Sequence, residues 1–172
     1  MAASVAGGRL GRIASQEQFL TFIVLGAACC VAFAIRLFSI VNFEAMIHEY
    51  DPYFNFRSTE YLVKHGFYEF HNWFDARSWY PIGRGVGSSV YPGLMLTAAG
   101  IYYALEALHM PVDIRMVCVM IGPIFSAATV IATYFLTKEC TRGSKGAGLF
   151  AASIIAVVPG YISRSVAGSY DN

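Results

Sequence analysis

Two short acidic clusters, each just beyond a long apolar run, are the residues of this 172-residue chain best suited to chemistry. The first lies in His48-Glu-Tyr-Asp-Pro-Tyr-Phe-Asn-Phe-Arg57 and supplies Glu49 and Asp51. The second, Ser169-Tyr-Asp-Asn172, supplies Asp171. Carboxylates gathered in one place repel unless positive charge neutralises them. A hard divalent cation, Mn²⁺ or Mg²⁺, suits such oxygen ligands. Held this way, it would stabilise a diphosphate as it leaves, by screening the developing negative charge. Arg164, upstream of Asp171, would add a second positive group. Simpler roles compete with these. Asp51 precedes Pro52 and reads as an N-cap, with proline at the first helical position and a stop at Gly66. Asp171 reads equally as a solvated loop acid, and Arg164 as a headgroup anchor. Of the histidines, His48 is best placed to be a ligand, whereas His71 and His109 read as packing or interface residues.

Only 13% of the residues are charged, against about 25% in soluble domains, and 56% are hydrophobic. The expected fold class is therefore an all-α, multi-span integral membrane protein. A net charge of +1 offers no basic field for nucleic acid. The four cysteines form no disulfide framework and read as free. Residues 1–18 form a polar tail with Arg9 and Arg12. Residues 19–40 are the first expected span, with Arg36 snorkelling to the interface near its end. Residues 41–115 form a polar-aromatic loop rich in Trp and Tyr, suited to lie at the lipid headgroup level. Residues 116–137 are a second span, 138–145 a short cationic loop, 146–163 a third span, and 164–172 the start of another loop.

The apolar stretch 91–108 decides the topology. Cationic segments stay on the cytoplasmic side, which places both the N-terminus and Lys138–Lys145 there. An even number of crossings must then separate them. Residues 91–108 are accordingly expected to be interfacial or re-entrant, leaving three spans, with Asp51 and Asp171 on the same non-cytoplasmic face.

Five strings occur in order: His48–Arg57, Phe70-His-Asn-Trp-Phe-Asp75, Trp79-Tyr-Pro81, Tyr91-Pro-Gly-Leu-Met95 and Val157-Val-Pro-Gly-Tyr-Ile-Ser-Arg-Ser-Val-Ala-Gly-Ser-Tyr-Asp-Asn172. Together they resemble the catalytic subunits of eukaryotic oligosaccharyltransferase, from about the first span to the last residue. The resemblance implies a GT-C type bundle in the endoplasmic reticulum membrane, working with other oligosaccharyltransferase subunits. It implies transfer of a preassembled oligosaccharide from dolichyl diphosphate to Asn in Asn-x-Ser/Thr sites of an acceptor polypeptide, with Mn²⁺ or Mg²⁺. Glu49-Tyr50-Asp51 matches the family's first DxD-like motif, with Asp51 as metal ligand and acceptor contact. Asp171 and Asn172 match the start of its Asp-Asn-Glu motif, with Asp171 as the second metal ligand. Arg164 matches an arginine linked to catalysis. The glutamate due after Asn172, further spans and the Trp-Trp-Asp region are not in the chain. It is therefore expected to be an N-terminal part, inactive alone. The alternatives are another lipid-phosphosugar-dependent membrane glycosyltransferase, or a non-catalytic assembly fragment.

Overall fold

Apolar runs without internal charge satisfy their backbone groups as helices, the one open-ended structure that needs no water to do so. The computed structural model describes residues 2–171, with side chains from residue 15 onward. Asn172, a supporting residue of the second motif, and the side chains of Arg9 and Arg12 lie outside the described residues. The described chain runs α1 (Ala2–Arg36), α2 (Phe38–Phe43), α3 (Tyr50–His71), β1 (Phe74–Asp75), β2 (Arg84–Gly85), α4 (Gly93–Ala107), α5 (Ile114–Cys140), α6 (Lys145–Val157) and α7 (Pro159–Ser165). β1 and β2 pair antiparallel, Phe74 with Gly85 and Asp75 with Arg84.

Two stretches, Ser15–Phe43 and Ile114–Cys140, are long and apolar enough to cross a membrane. α6 and α7, bent by 56° at the break between them, make a third if the pair is one span. The sequence reading treated 146–163 as one run. Pro159 is why it is not: proline cannot donate to the preceding turn and pushes the residue before it out of the helical region. Val158 accordingly has φ −66° and ψ 125°. α6 starts on Ser144, whose Oγ accepts the Ala147 N–H at 3.4 Å. With α5 reaching Cys140, only Thr141–Ser144 remain non-helical in the cationic loop. α4 has 15 residues, a length of about 22 Å at 1.5 Å per residue, short of a hydrocarbon core of about 30 Å.

The chain forms two units. Met1–Arg36 with Pro123–Ser163 is the first, and Leu37–Gly122 with Arg164–Asn172 is the second. The core of the first joins Ala32, Val130, Tyr134, Ala152 and Ala156. Gly148, Ala152 and Ala156 recur every four residues on one buried stripe of α6, the small-residue surface that lets membrane helices approach closely. A Cβ at Gly148 would lie 2.9 Å from both the Tyr134 ring and its carbonyl oxygen. Arg36 does not snorkel, contrary to expectation. It is 0% exposed. It donates to the carbonyls of Ala32 at 2.7 Å and Ala156 at 3.1 Å, and its guanidinium lies 4.6 Å from the Tyr161 ring centre. The break at Pro159 leaves the last carbonyls of α6 without helical donors, and a buried cation at a helix C-terminus answers both that need and the dipole.

In the second unit α3 packs on α4. One core cluster holds Phe56, Ala98, Cys118, Ile121 and Tyr170, and another holds Leu62, Phe70, Val86, Met95 and Ala99. The helical conformation of α3 is interrupted at Gly66, as expected, where φ is 84° and ψ 174°, and a second helical stretch runs from the kink to His71. Gly66 takes the left-handed conformation at no Cβ cost.

Candidate functional site

α3 begins two residues earlier than Asp51-Pro52 suggests. Glu49 is the N-cap, with φ 71° and no side-chain capping bond. Asp51 is therefore the second residue of the helix, and the N-cap reading of Asp51 is corrected. Pro52 still fits, because the first four N–H groups of a helix have no intrahelical acceptor. Asp51 is exposed in the first turn, where the helix dipole favours an anion. A non-glycine residue at positive φ is a strained choice, and such strain tends to collect at functional sites. At Glu49 it sets the entry of the chain into α3.

The second acidic segment meets α3 one turn further on. Asn55 is only 5% exposed. Its Nδ2 donates to the Tyr170 carbonyl at 3.2 Å and to Asp171 Oδ1 at 3.3 Å. Asp51 and Asn55 are four apart, so their Cβ atoms are about 5–6 Å from each other on one stripe of the helix. The two acidic segments thus share one end of α3. Tyr170 drives the docking. It is 1% exposed, its hydroxyl is 2.8 Å from Thr59 Oγ1, and it donates to the Leu94 carbonyl at 3.3 Å. Burial raises its pKa and keeps the phenol neutral, the adjacent Cys118 acting in the same direction. Residues 164–171 are therefore packed chain, and Asp171 is the exposed end of a docked segment.

Gly168 fixes where that segment runs. Pro123 has no N–H for the Val119 carbonyl, and that carbonyl instead accepts the Gly168 N–H at 3.2 Å. The Gly168 carbonyl accepts the His48 N–H, also at 3.2 Å. Gly168 has φ +92°, and a Cβ there would overlap the Met46 carbonyl oxygen. Ser39 Oγ adds a short bond to the Ala167 carbonyl. His48 packs edge-on against Phe43, and its Nε2 is buried with no hydrogen-bond partner among the described residues. It is thus a packing residue here. Glu49 and Arg164 are exposed, Arg164 in the last turn of α7. Among the described residues neither makes a side-chain hydrogen bond or ion pair, so the structure does not tie them to the contact of Asn55 with Asp171.

One carboxylate was missed in the sequence. Asp75 is buried in β1 and accepts from Arg57 at 2.8 Å, Ser78 Oγ at 2.6 Å and the Arg77 N–H at 3.0 Å. Burial opposes its ionisation, but the Ser78, Arg77 and Arg57 contacts outweigh this and lower its pKa. The last residue of the first motif is thus committed to holding the hairpin on α3. A group with a lowered folded pKa stabilises fully above its unfolded value, about 3.9, and that contribution is lost as pH falls through the folded value. The chain's two tryptophans, Trp73 and Trp79, lie in or beside the hairpin. Their fluorescence is expected to stay constant from about pH 8 to 5 and to change only in stronger acid. Asp75→Asn should bring that change to neutral pH, at a cost of about 1–3 kcal/mol.

The donor set of Asp51 and Asp171 consists of hard oxygens, which suits Mg²⁺ or Mn²⁺. Among the described residues no group of three or more His, Cys, Asp or Glu side chains is arranged around one point. Mg²⁺ is commonly held by one or two carboxylates, with waters and substrate phosphates completing its shell. By donor type, a pair of carboxylates such as Asp51 and Asp171 would suit that pattern.

Fold and site together define a helical, multi-span membrane protein that gathers two acidic segments at one helix end. The family model "Oligosaccharyl transferase STT3, N-terminal" matches residues 19–172, and the chain belongs to that family. It is 57% identical, over 99% of its length and 22% of the relative's, to the Caenorhabditis elegans dolichyl-diphosphooligosaccharide–protein glycosyltransferase subunit stt-3. It is 58% identical to subunit STT3A of Oryza sativa subsp. japonica, over 88% of this chain and 19% of that one. It is 55% identical to subunit STT3B of Arabidopsis thaliana, over 91% and 21%. The chain spans about a fifth of the length of these relatives.

Proposed function

We propose that this chain supplies the N-terminal acidic half of an oligosaccharyltransferase active site at the luminal face of the endoplasmic reticulum membrane. The enzyme would transfer an oligosaccharide from dolichyl diphosphate to the Asn side chain of Asn-x-Ser/Thr acceptors, assembled with other subunits of the complex. The observation that carries this reading is the contact of Asn55 with Asp171 one turn from Asp51.

The acceptor is a carboxamide, whose nitrogen is a poor nucleophile because its lone pair is delocalised. The barrier of about 18–20 kcal/mol to twisting a peptide amide measures that delocalisation. Asp51, exposed at the start of α3, would accept a hydrogen bond from the acceptor N–H and loosen the conjugation. Asp51 and Asp171 would hold Mn²⁺ or Mg²⁺, which when bound supplies positive charge to a departing diphosphate. Glu49 would set the entry into α3, Asn172 would support Asp171, and Arg164 would face the diphosphate. The test is transfer to an Asn-x-Thr peptide by a version extended to the length of the relatives, called here the extended chain, together with its partner subunits. Transfer to a sugar hydroxyl instead would favour another lipid-phosphosugar transferase. No transfer to either would favour an assembly role.

The same reading sets a topology of three spans, at 19–40, 116–137 and 146–163, with 1–18 and 138–145 cytoplasmic, 41–115 luminal and 91–108 interfacial. The native Cys140 is exposed near the cytoplasmic loop, and Ser88 is exposed beyond the hairpin. In sealed vesicles with the luminal side enclosed, an impermeant thiol reagent should label Cys140 and spare a cysteine placed at Ser88. Labelling of both from outside would overturn the topology.

A further inference from the structure

We propose that the cavity between α3 and Trp73 is a sugar-binding subsite that holds part of the donor's oligosaccharide away from the diphosphate. The proposal rests on the reading of the chain as part of an oligosaccharyltransferase. Arg57, Glu60, Tyr61, Lys64 and His65 recur at the three- and four-residue spacing that places side chains on one stripe of a helix. The chain beyond the Gly66 kink brings Trp73 back against Tyr61, and these six residues line a cavity of about 280 Å³. Trp73 is held on both sides of its backbone. Its N–H donates to the Phe70 carbonyl at 3.1 Å, and its carbonyl accepts the Val86 N–H at 2.9 Å. Its ring lies parallel to that of Tyr61, with 4.1 Å between centres, and the His65 ring stacks 4.3 Å from Tyr61. The three rings make one aromatic wall.

Charge decides the class of ligand. Both fixed cations of the cavity are already paired, Arg57 with Asp75 at 2.8 Å and Lys64 with Glu60 at 2.7 Å. An anion would have to compete with a carboxylate for either cation, whereas a neutral ligand would not. Each cation keeps further N–H donors, and Glu60 keeps further lone pairs. Among the described residues the Trp73 indole N–H and the Tyr61 hydroxyl have no hydrogen-bond partner. Donors and acceptors therefore stand together beside aromatic rings. Sugar hydroxyls donate and accept at once, and the C–H face of a sugar ring is apolar enough to rest on such a wall. A volume of about 280 Å³ is just below the range of about 300–1,000 Å³ for sites of drug-sized ligands, which suits one unit of a longer glycan. At 1.5 Å per residue, Arg57 to His65 lie about 9–21 Å along α3 from Asp51, and about a third of a turn around it. An oligosaccharide whose diphosphate sits at Asp51 reaches the cavity by following the helix surface.

The test compares the extended chain in its complex with a Glu60→Gln, Lys64→Met double variant. These side chains are 38% and 63% exposed, and both replacements are good helix formers. Trp73→Phe, which keeps a ring and removes the indole N–H, is the second variant. Binding of the free oligosaccharide, cleaved from its lipid, is followed by saturation-transfer NMR. Transfer kinetics are measured with the full donor and with one trimmed to the two sugars nearest the diphosphate. The double variant is expected to bind the free oligosaccharide about tenfold more weakly, as loss of hydrogen bonds to charged groups implies. Its KM for the full donor should rise by a similar factor, with kcat within about twofold of the parent and KM for the trimmed donor unchanged. Trp73→Phe should shift both in the same direction. Parental affinity and KM in the folded variants would overturn the proposal. An equal rise in KM for both donors would do so too, and so would weaker oligosaccharide binding with an unchanged donor KM. If the parent binds the free oligosaccharide and the variants lose it, but the parent transfers to no acceptor, the enzymatic reading fails and the sugar site stands. If the parent transfers and the variants change neither binding nor KM, only the sugar site fails.

Discussion

Asp51→Asn in the extended chain is expected to lower oligosaccharide transfer by about 10²–10³-fold or more, the usual loss when a group aimed at developing charge is removed. Expression and complex assembly should be unchanged. The geometry separates this from a structural role. Asp51 is not the N-cap of α3 and is exposed in its first turn. Neutralising it would therefore cost only its favourable interaction with the helix dipole, about 0.3–1 kcal/mol. Asparagine keeps the shape and loses the charge that a cation and an amide N–H would both require. Transfer near the parental rate by Asp51→Asn, measured on an Asn-x-Thr peptide, would return Asp51 to the role of helix-start residue.

Gly168→Ala is expected to be nearly as damaging, although it adds one methyl group and touches no carboxylate. At φ +92° an alanine pays the left-handed penalty of about 1–2 kcal/mol. Its Cβ would also overlap the Met46 carbonyl and crowd the His48 ring, with Cδ2 at 2.9 Å. Relief requires residues 46–48 and 168 to separate, which breaks the His48 N–H bond to the Gly168 carbonyl. Those two strands of chain lead to Asp51 and Asp171, so the acids move apart. A misplacement of about 1 Å can cost about 10²-fold in rate. The expected result is a transfer rate lowered by about that factor, with a reduced unfolding temperature. A variant with lower stability and parental transfer would show that Gly168 serves folding alone.

Much of this was legible in the chain. The apolar runs yielded the helices, because charge-free stretches of that length have few other solutions in a membrane. The two acidic motifs were legible as a pair, and the structure joins their segments at one end of α3. The misreadings have local causes. Asp51-Pro52 has the composition of a cap, but the capping position is decided by the positive φ of Glu49, which no propensity reveals. Arg36 resembles a snorkelling residue because the sequence does not say which carbonyls lie beside it. Pro159 was the signal that α6 must end and leave carbonyls to satisfy. The Arg57–Asp75 pair carried no periodic trace, since β1 is two residues long. Asn55 was hidden among aromatics, and only the docked Tyr170 shows what its amide faces.

The central claim is that Asp51 and Asp171 act on one divalent ion. It is tested most directly by counting Mn²⁺ bound to the extended chain in its complex, and to its Asp51→Asn and Asp171→Asn variants, by electron paramagnetic resonance. One ion per chain in the parent, lost in each single variant, is the expected result. An ion retained with parental affinity in either variant would contradict the shared site.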